Sequence, residues 1–99
     1  MRWTKKASRN LDDVAEHIAL DNPSASVRTV LKIIAAVEHL SEHPAIGRAG
    51  RVEGTRELVV PGLPYIVPYR VKGNTVEILR VLHGARKWPV RYKPIDDPR

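Results

Sequence analysis

The second half of the sequence contains side chains that could move protons and stabilise negative charge. The candidates for proton transfer are His83, Tyr92, Tyr69 and Glu57. The candidates for charge stabilisation are Arg56, Arg80, Arg86 and Lys87. Cleavage of RNA without a metal ion needs both kinds of group, because a base takes the 2′-hydroxyl proton while cations stabilise the crowded phosphate. Arginine cannot be that base, since its pKa stays above about 12. The residue types therefore permit metal-free chemistry on a phosphodiester.

Positive charge is concentrated in the same half of the chain. The sequence carries 17 Lys and Arg residues against 11 Asp and Glu residues, a formal net charge of +6. Residues 1–44 are neutral, whereas residues 45–93 hold ten basic residues against three acidic ones. Such a field is typical of a protein that binds phosphates or an acidic protein partner, and a basic surface without a dedicated partner is the simpler alternative. The candidate nucleic-acid-binding residues are Arg48, Arg51, Arg80, Lys87 and Arg91.

The composition excludes several classes of protein. A chain of 99 residues suits one compact domain, and its 42% of apolar residues suffices for a single core. The sequence has no cysteine, which excludes a disulfide, a thiol nucleophile and a thiolate metal site. The histidines lack the spacing of metal ligands, so we expect neither a metal nor a cofactor. No apolar run approaches the roughly 20 residues that span a bilayer, and no signal-peptide pattern is present, so we expect a soluble, cytoplasmic protein without a membrane partner.

Two amphipathic helices are predicted in the first half of the chain. The first helix follows a short strand at residues 1–3, starts after the capping residue Thr4 and runs for about four turns. Its apolar positions recur at spacings of three and four: Ala7, Leu11, Val14, Ala15 and Ile18. The second helix starts at Asn22-Pro23, because Asn22 can cap it and proline suits the first helical position. Its predicted core face consists of Val27, Val30, Leu31, Ile34, Val37 and Leu40.

Three β-like runs follow a stretch rich in glycine and arginine. Residues 45–55 show no periodicity and are predicted to form a flexible basic loop. The runs cover residues 56–60, 65–71 and 75–83, and the short turn sequences between them require antiparallel neighbours. The last run is apolar on both faces, which predicts one continuous interior strand. Pro68 cannot donate to a ladder, so its strand must carry a bulge or leave that nitrogen facing away from a neighbour.

The order of these elements predicts an α+β fold. An N-terminal strand precedes two helices and three strands, so an antiparallel two-helix hairpin should pack on one face of a small antiparallel β-sheet. We expect residues 1–90 to form this single domain and residues 91–99 to form a frayed or disordered tail. All five aromatic residues lie outside the helices, where they could line the open sheet face. Tyr65 and Tyr69 share one face of their strand and are more typical of packing than of catalysis.

Several sequence segments, in this order and spacing, resemble one family of bacterial proteins. The segments are the Leu11-Asp12-Asp13 helix, residues 40–48, residues 56–58 and residues 76–83. Together they resemble the RelE/ParE superfamily of toxins over about residues 1–90. The resemblance implies a small toxin of a type II toxin–antitoxin module, with a cognate antitoxin, encoded beside it, that wraps and neutralises it. Members of this superfamily either cut messenger RNA on the ribosome or poison DNA gyrase.

The resemblance also implies roles for particular residues. In the ribosome-dependent nucleases an arginine shortly after the last strand is followed six residues later by a catalytic tyrosine, and Arg86 and Tyr92 reproduce that spacing. We therefore predict ribosome-dependent cleavage of mRNA, with catalytic residues Arg86, Tyr92, Arg56 and His83. The segment 84–92 would then close over a nucleotide, with Arg91 and Lys87 binding its phosphates.

Other features favour different functions within the same superfamily. Ile66 stands where the nucleases carry an arginine, and the sequence around His43-Pro44 is more similar to the gyrase-poison branch, as is the length of the helical hairpin. The alternatives are therefore inhibition of DNA gyrase or an inactive module that only binds the antitoxin. His83 could instead bond a backbone carbonyl, and Arg80 could form a structural ion pair with Glu57 or Glu77.

Overall fold

The computed structural model describes residues 1–84, and residues 85–99 lie outside the described part of the chain. Two helices precede most of the sheet, and a short 3-10 turn follows the second helix at His39–Ser41. The helices and strands are β1 Arg2–Trp3, α1 Lys5–Ala19, α2 Pro23–Glu38, β2 Arg48–Ala49, β3 Arg56–Val59, β4 Tyr65–Lys72, β5 Thr75–Ile78 and β6 Leu82–His83. The predicted α+β class and element order are confirmed. The predicted tail, residues 91–99, lies outside the described residues.

Both helices begin where their capping residues predict. The Thr4 hydroxyl accepts a hydrogen bond from the Ala7 N–H at 3.1 Å and lies 2.8 Å from the Ile78 carbonyl oxygen, to which it donates. Asn22 Oδ1 accepts from the Ala25 N–H at 3.0 Å, and Pro23 is the first residue of α2. Thr4 therefore caps α1 and also ties its first turn to β5.

The core face of α2 differs from the predicted one. Val27 and Leu31 are 59% and 60% exposed, whereas Ser26 and Ile33 are buried together with the predicted Val37 and Leu40. The Ser26 hydroxyl donates to the Ala15 carbonyl oxygen of α1 at 2.6 Å. A small polar residue thus occupies the contact between the helices, and the buried stripe is rotated by one residue from the one that apolarity alone predicts.

The sheet has the strand order β1-β5-β4-β3-β2, with β6 beside the first residues of β4. β1 pairs in parallel with β5, and the other pairs are antiparallel. Tyr65 and Tyr69 are buried in the core, so their predicted packing role is confirmed and the expectation that they line the open face is wrong. The buried apolar residues are Ala7, Ile33, Val37, Leu40, Leu58, Val60, Tyr65, Val67, Tyr69, Val76, Ile78 and Val81.

The predicted last strand is split in two by a β-bulge opposite Pro68. Tyr69 lies opposite Ile78 and Ile66 lies opposite Leu82, so two residues of β4 face the three residues 79–81. The N–H groups of Leu79 and Arg80 both point at the Pro68 carbonyl oxygen, at 2.9 and 3.4 Å. Because proline has no N–H to return, the ladder cannot continue there. The predicted disturbance of the ladder at Pro68 is present, but the extra residue lies on the partner run and not on the strand of Pro68, and the prediction of one continuous strand over residues 75–83 is wrong.

Helix α1 supplies the acceptor that the bulge lacks. Asn10 Oδ1 accepts the Val81 N–H at 3.2 Å and the Arg80 Nε–H at 3.1 Å. Val81 is buried, and the interrupted ladder supplies no backbone acceptor for its N–H. Without Asn10 this N–H would therefore have no hydrogen-bond partner.

The segment predicted as a flexible loop is anchored to the sheet. Its residues Arg48–Ala49 form β2, which pairs with β3. The Tyr69 hydroxyl accepts from the Gly47 N–H at 2.9 Å and donates to the Pro44 carbonyl oxygen at 2.7 Å. A Cβ atom on Gly47 would lie 2.5 Å from that hydroxyl oxygen, so only glycine allows this approach. These contacts are between residues far apart in sequence, which local periodicity does not report. No helix within residues 1–84 is long and apolar enough to cross a bilayer.

Replacing Asn10 tests the bulge contact. We expect Asn10→Ala to lower the free energy of unfolding by roughly 1–3 kcal/mol, because a buried N–H loses its acceptor. Urea denaturation followed by circular dichroism measures the change. Asp12→Ala, at an exposed position of the same helix, is the control. Equal stability of the two variants would contradict the assigned role of Asn10.

Candidate functional site

Charged residues form a row across the sheet face opposite the helices. Residues paired in register share a face, so Arg2, Glu77 and Arg70 lie side by side on β1, β5 and β4. Glu77 accepts from Arg2 Nη1, and from Arg70 Nε at 2.7 Å. The Glu77 side chain is 6% exposed. This buried carboxylate therefore holds two guanidinium groups on the outer face.

The two arginines change the acidity of Glu77. The hydrogen bond from Arg70 holds the pKa of the Glu77 carboxyl below its ordinary value, and Arg2 acts in the same direction. Burial raises this pKa, but the guanidinium groups outweigh it. Glu77 therefore stays ionised at neutral pH and serves as a counter-ion, which excludes it as a base poised near pH 7.

A second buried carboxylate organises the residues predicted to bind nucleic acid. Glu57 is 1% exposed and accepts from Arg48 Nε and Nη2 at 3.2 and 3.1 Å. Its other oxygen accepts the backbone N–H of Arg51 at 3.2 Å. The charge of Arg48 is therefore balanced within the fold, although the side chain is 52% exposed.

The predicted catalytic residue Arg56 bonds to the backbone. Its Nη1 donates to the carbonyl oxygens of Ala45 and Gly47, at 3.3 and 3.0 Å. Together with the Tyr69 hydroxyl, this guanidinium fixes the segment that leads into β2. In this arrangement Arg56 holds the backbone of residues 45–47, and its Nη1 group is already used in these two hydrogen bonds.

Arg80 and His83 line a cleft between α1 and the β-bulge, which we call the bulge cleft. It encloses about 460 Å³ and is lined by Asn10, Asp13, Val14, His17, Tyr65, Arg80, Val81, Leu82 and His83. The rings of Tyr65 and His83 meet edge to face with centroids 5.6 Å apart. The ion pair expected between Arg80 and Glu57 or Glu77 does not form, because Arg80 bonds to Asn10 while the two glutamates bind other arginines.

The structure does not bring Arg56 and His83 together. Arg56 lies opposite Tyr69 across one edge of β4, and His83 lies opposite Tyr65 across the other edge. These two positions on β4 are four residue steps apart, a distance of about 13 Å along the strand. One scissile phosphate could not lie against both side chains in this arrangement.

Four of the predicted residues, Arg86, Lys87, Arg91 and Tyr92, lie outside the described residues. The structure therefore does not test the spacing of Arg86 and Tyr92. Over residues 1–84 it shows no group of three or more His, Cys, Asp or Glu side chains that could hold a metal ion.

Sequence reasoning missed the residues that arrange these side chains. Asn10 lies three residues after Ala7 and four before Val14, on the apolar stripe of α1. A polar residue on such a stripe signals a buried hydrogen bond, and this signal was present in the sequence. The pairing of Arg2 with Glu77 had no comparable signal, because 75 residues separate them.

Known proteins share this fold and much of this sequence. The chain is 48% identical over 89 residues to the putative toxin Y4kP of Sinorhizobium fredii, covering 90% of this chain and 92% of that protein. It is 33% identical over 84 residues to the toxin RelE2 of Caulobacter vibrioides, covering 85% and 93%. A solved structure of the chromosomal ParDE TA system from P. aeruginosa matches with a TM-score of 0.77 and 32% identity, over 83% of this chain and 91% of that one.

The fold and these relatives define the class: the protein is a toxin of the RelE/ParE superfamily, from a type II toxin–antitoxin system. Residues 1–88 match the family described as the ParE toxin of the type II toxin–antitoxin system parDE. The chain belongs to this ParE toxin family. The predicted superfamily is thus confirmed, and membership implies an antitoxin partner.

The ion pairs of Glu77 predict how stability depends on pH. A carboxylate whose folded pKa lies below its unfolded value stabilises the fold above the unfolded value, which is 4.5 here, and loses this effect as pH falls through the folded pKa. We therefore expect Glu77→Gln to be less stable than the wild type at pH 7, with the difference shrinking below pH 4.5. Urea denaturation across this range measures it.

The exposed Glu16 of α1 provides the matched control. Glu16→Gln removes the same charge from a residue without an ion pair in residues 1–84, so its stability should follow the wild type. A difference for Glu77→Gln that stays constant from pH 7 to pH 3 would contradict the role of its charge.

Proposed function

We propose that this ParE family toxin inhibits growth by binding DNA gyrase, and that the antitoxin encoded beside it neutralises it. The separation of Arg56 from His83 on opposite edges of β4 carries this proposal. Inhibition by binding needs a shaped surface and no proton transfer. A nuclease, in contrast, needs its base and its cations around one phosphate.

The contacts of the candidate residues support the same conclusion. Arg56 is bonded to two backbone carbonyl oxygens, and Arg48 is paired with a buried glutamate. Tyr69, the other candidate for proton transfer on the sheet, is fully buried and uses its hydroxyl for two backbone contacts. Ile66 supplies no charge where the superfamily's nucleases carry an arginine. Arg48, Arg56 and Tyr69 thus act mainly to hold the fold.

Ribosome-dependent cleavage of mRNA is the second candidate function. The spacing of Arg86 and Tyr92 favours it, since it matches the arginine and catalytic tyrosine of the nucleases that this sequence resembles. In that mechanism these two residues would supply the catalytic groups, with His83 and Arg80 of the bulge cleft close to them in sequence.

Induced expression distinguishes the two functions. We expect growth to stop on induction of the toxin alone and to continue when the adjacent gene is expressed with it. In a supercoiling assay the purified toxin should inhibit gyrase, and adding the antitoxin should restore activity. RNA 5′ ends mapped on ribosomes should show no new cuts at defined codon positions. New codon-specific cuts with unaffected supercoiling would instead establish the nuclease.

Replacing one tyrosine tests the second candidate separately. Under gyrase inhibition, Tyr92→Phe should stop growth as the wild type does, because the ring is kept and no proton is transferred. Under RNA cleavage the loss of a general acid or base should reduce the rate roughly 100-fold or more. Growth curves at matched protein levels, checked by immunoblot, measure the effect. Survival of cells that express Tyr92→Phe at wild-type levels would contradict the proposed function.

A further inference from the structure

The bulge cleft presents a cation that the fold itself does not neutralise. The Arg80 Nε–H is bonded to Asn10 Oδ1, which fixes the plane of the guanidinium group. Its two terminal amino groups form no hydrogen bond or ion pair within residues 1–84, and Arg80 is one of the residues that line the cleft. The arginines at the buried glutamates differ in this respect, since their charges are already paired. A guanidinium held in one orientation by its Nε binds a carboxylate or a phosphate with little loss of side-chain entropy.

The rest of the cleft discriminates between these two anions. Asp13 of α1 lines the same cavity and repels any anion there, so a nucleic-acid backbone with its several phosphates is opposed more strongly than a peptide that brings one carboxylate. Binding of a phosphate backbone also depends on several cations, and Arg80 is the only Lys or Arg residue among the described residues that line the cleft. A peptide also carries N–H groups, which can donate hydrogen bonds to the Asp13 carboxylate. Val14 and Leu82 form an apolar wall of the cleft, against which the aliphatic part of a ligand side chain can pack.

We infer that the bulge cleft is the docking site for an acidic side chain of the antitoxin, whose carboxylate binds the terminal amino groups of Arg80. The inference rests on the antitoxin partner of the proposed function and does not depend on the toxin's target. The volume of about 460 Å³ admits one such side chain with its neighbours. A carboxylate on the partner would complement the net charge of +6 on this chain.

Isothermal titration calorimetry with the full toxin and the antitoxin encoded by the adjacent gene tests the inference. We expect Arg80→Gln to bind the antitoxin roughly 10- to 100-fold more weakly than the wild type, because a buried charge-assisted pair is lost. Arg28→Gln, which removes the same charge from an exposed position of α2, should bind as the wild type does.

A second variant keeps the test valid if Arg80→Gln is unstable. His17 is exposed and lines the cleft, so His17→Trp fills the cleft and leaves the bond between Asn10 and Arg80 in place. It should weaken binding at least roughly tenfold, whereas Glu16→Trp, at an exposed neighbour outside the cleft, should not.

The outcomes separate this inference from the proposed function. Wild-type affinity in both Arg80→Gln and His17→Trp would overturn the docking site and leave the antitoxin partner intact. Absence of binding by the wild type itself would overturn both. Wild-type antitoxin affinity combined with lost inhibition of gyrase or lost RNA cleavage would overturn the docking site and assign the cleft to the target.

Discussion

The missing hydrogen on the backbone nitrogen of Pro68 determines how one end of the sheet is built. Without that donor the ladder between β4 and the last segment of the sheet cannot continue, and an extra residue enters opposite it. The extra residue leaves the Val81 N–H without a strand partner, so α1 must supply Asn10 as the acceptor. The side-chain amide of Asn10 also orients Arg80, which forms part of one wall of the bulge cleft. Pro68 is thus linked through the bulge to the contact with α1 and to the orientation of Arg80.

Two different uses are seen for the arginines that contact Glu57, Glu77 and the segment before β2. Those around Glu57 and Glu77 are counter-ions of carboxylates that the sheet buries, and a buried carboxylate without such a partner is strongly destabilising. Arg56 satisfies backbone carbonyls in a segment that has little regular structure of its own. Part of the positive charge of the second half therefore serves contacts within the sheet, which a count of basic residues does not reveal.

Local chemistry explains which parts of the fold could be predicted. The caps Thr4 and Asn22 each accept an N–H group three residues away, so both helix starts could be predicted from local sequence. The core face of α2 could not be predicted from apolarity, because Ser26 reaches a carbonyl of α1 and Val27 faces water. Pro68 predicted a disturbance of the ladder, but which strand holds the extra residue depends on the pairing of the two strands. The roles of Arg48 and Arg56 depend on contacts across strands, which residue type does not report.

The parallel pairing of β1 with β5 has a consequence for how the toxin is made. Arg2 and Thr4 bond to Glu77 and Ile78, which the ribosome adds more than 70 residues later. The N-terminal strand therefore has no partner strand until residues 77 and 78 have emerged from the exit tunnel. Contacts of such long sequence separation form late and slow the folding of small domains. A chain terminated before Glu77 would lack this pairing at the edge of the sheet, so the complete sheet forms only in chains that extend past Ile78.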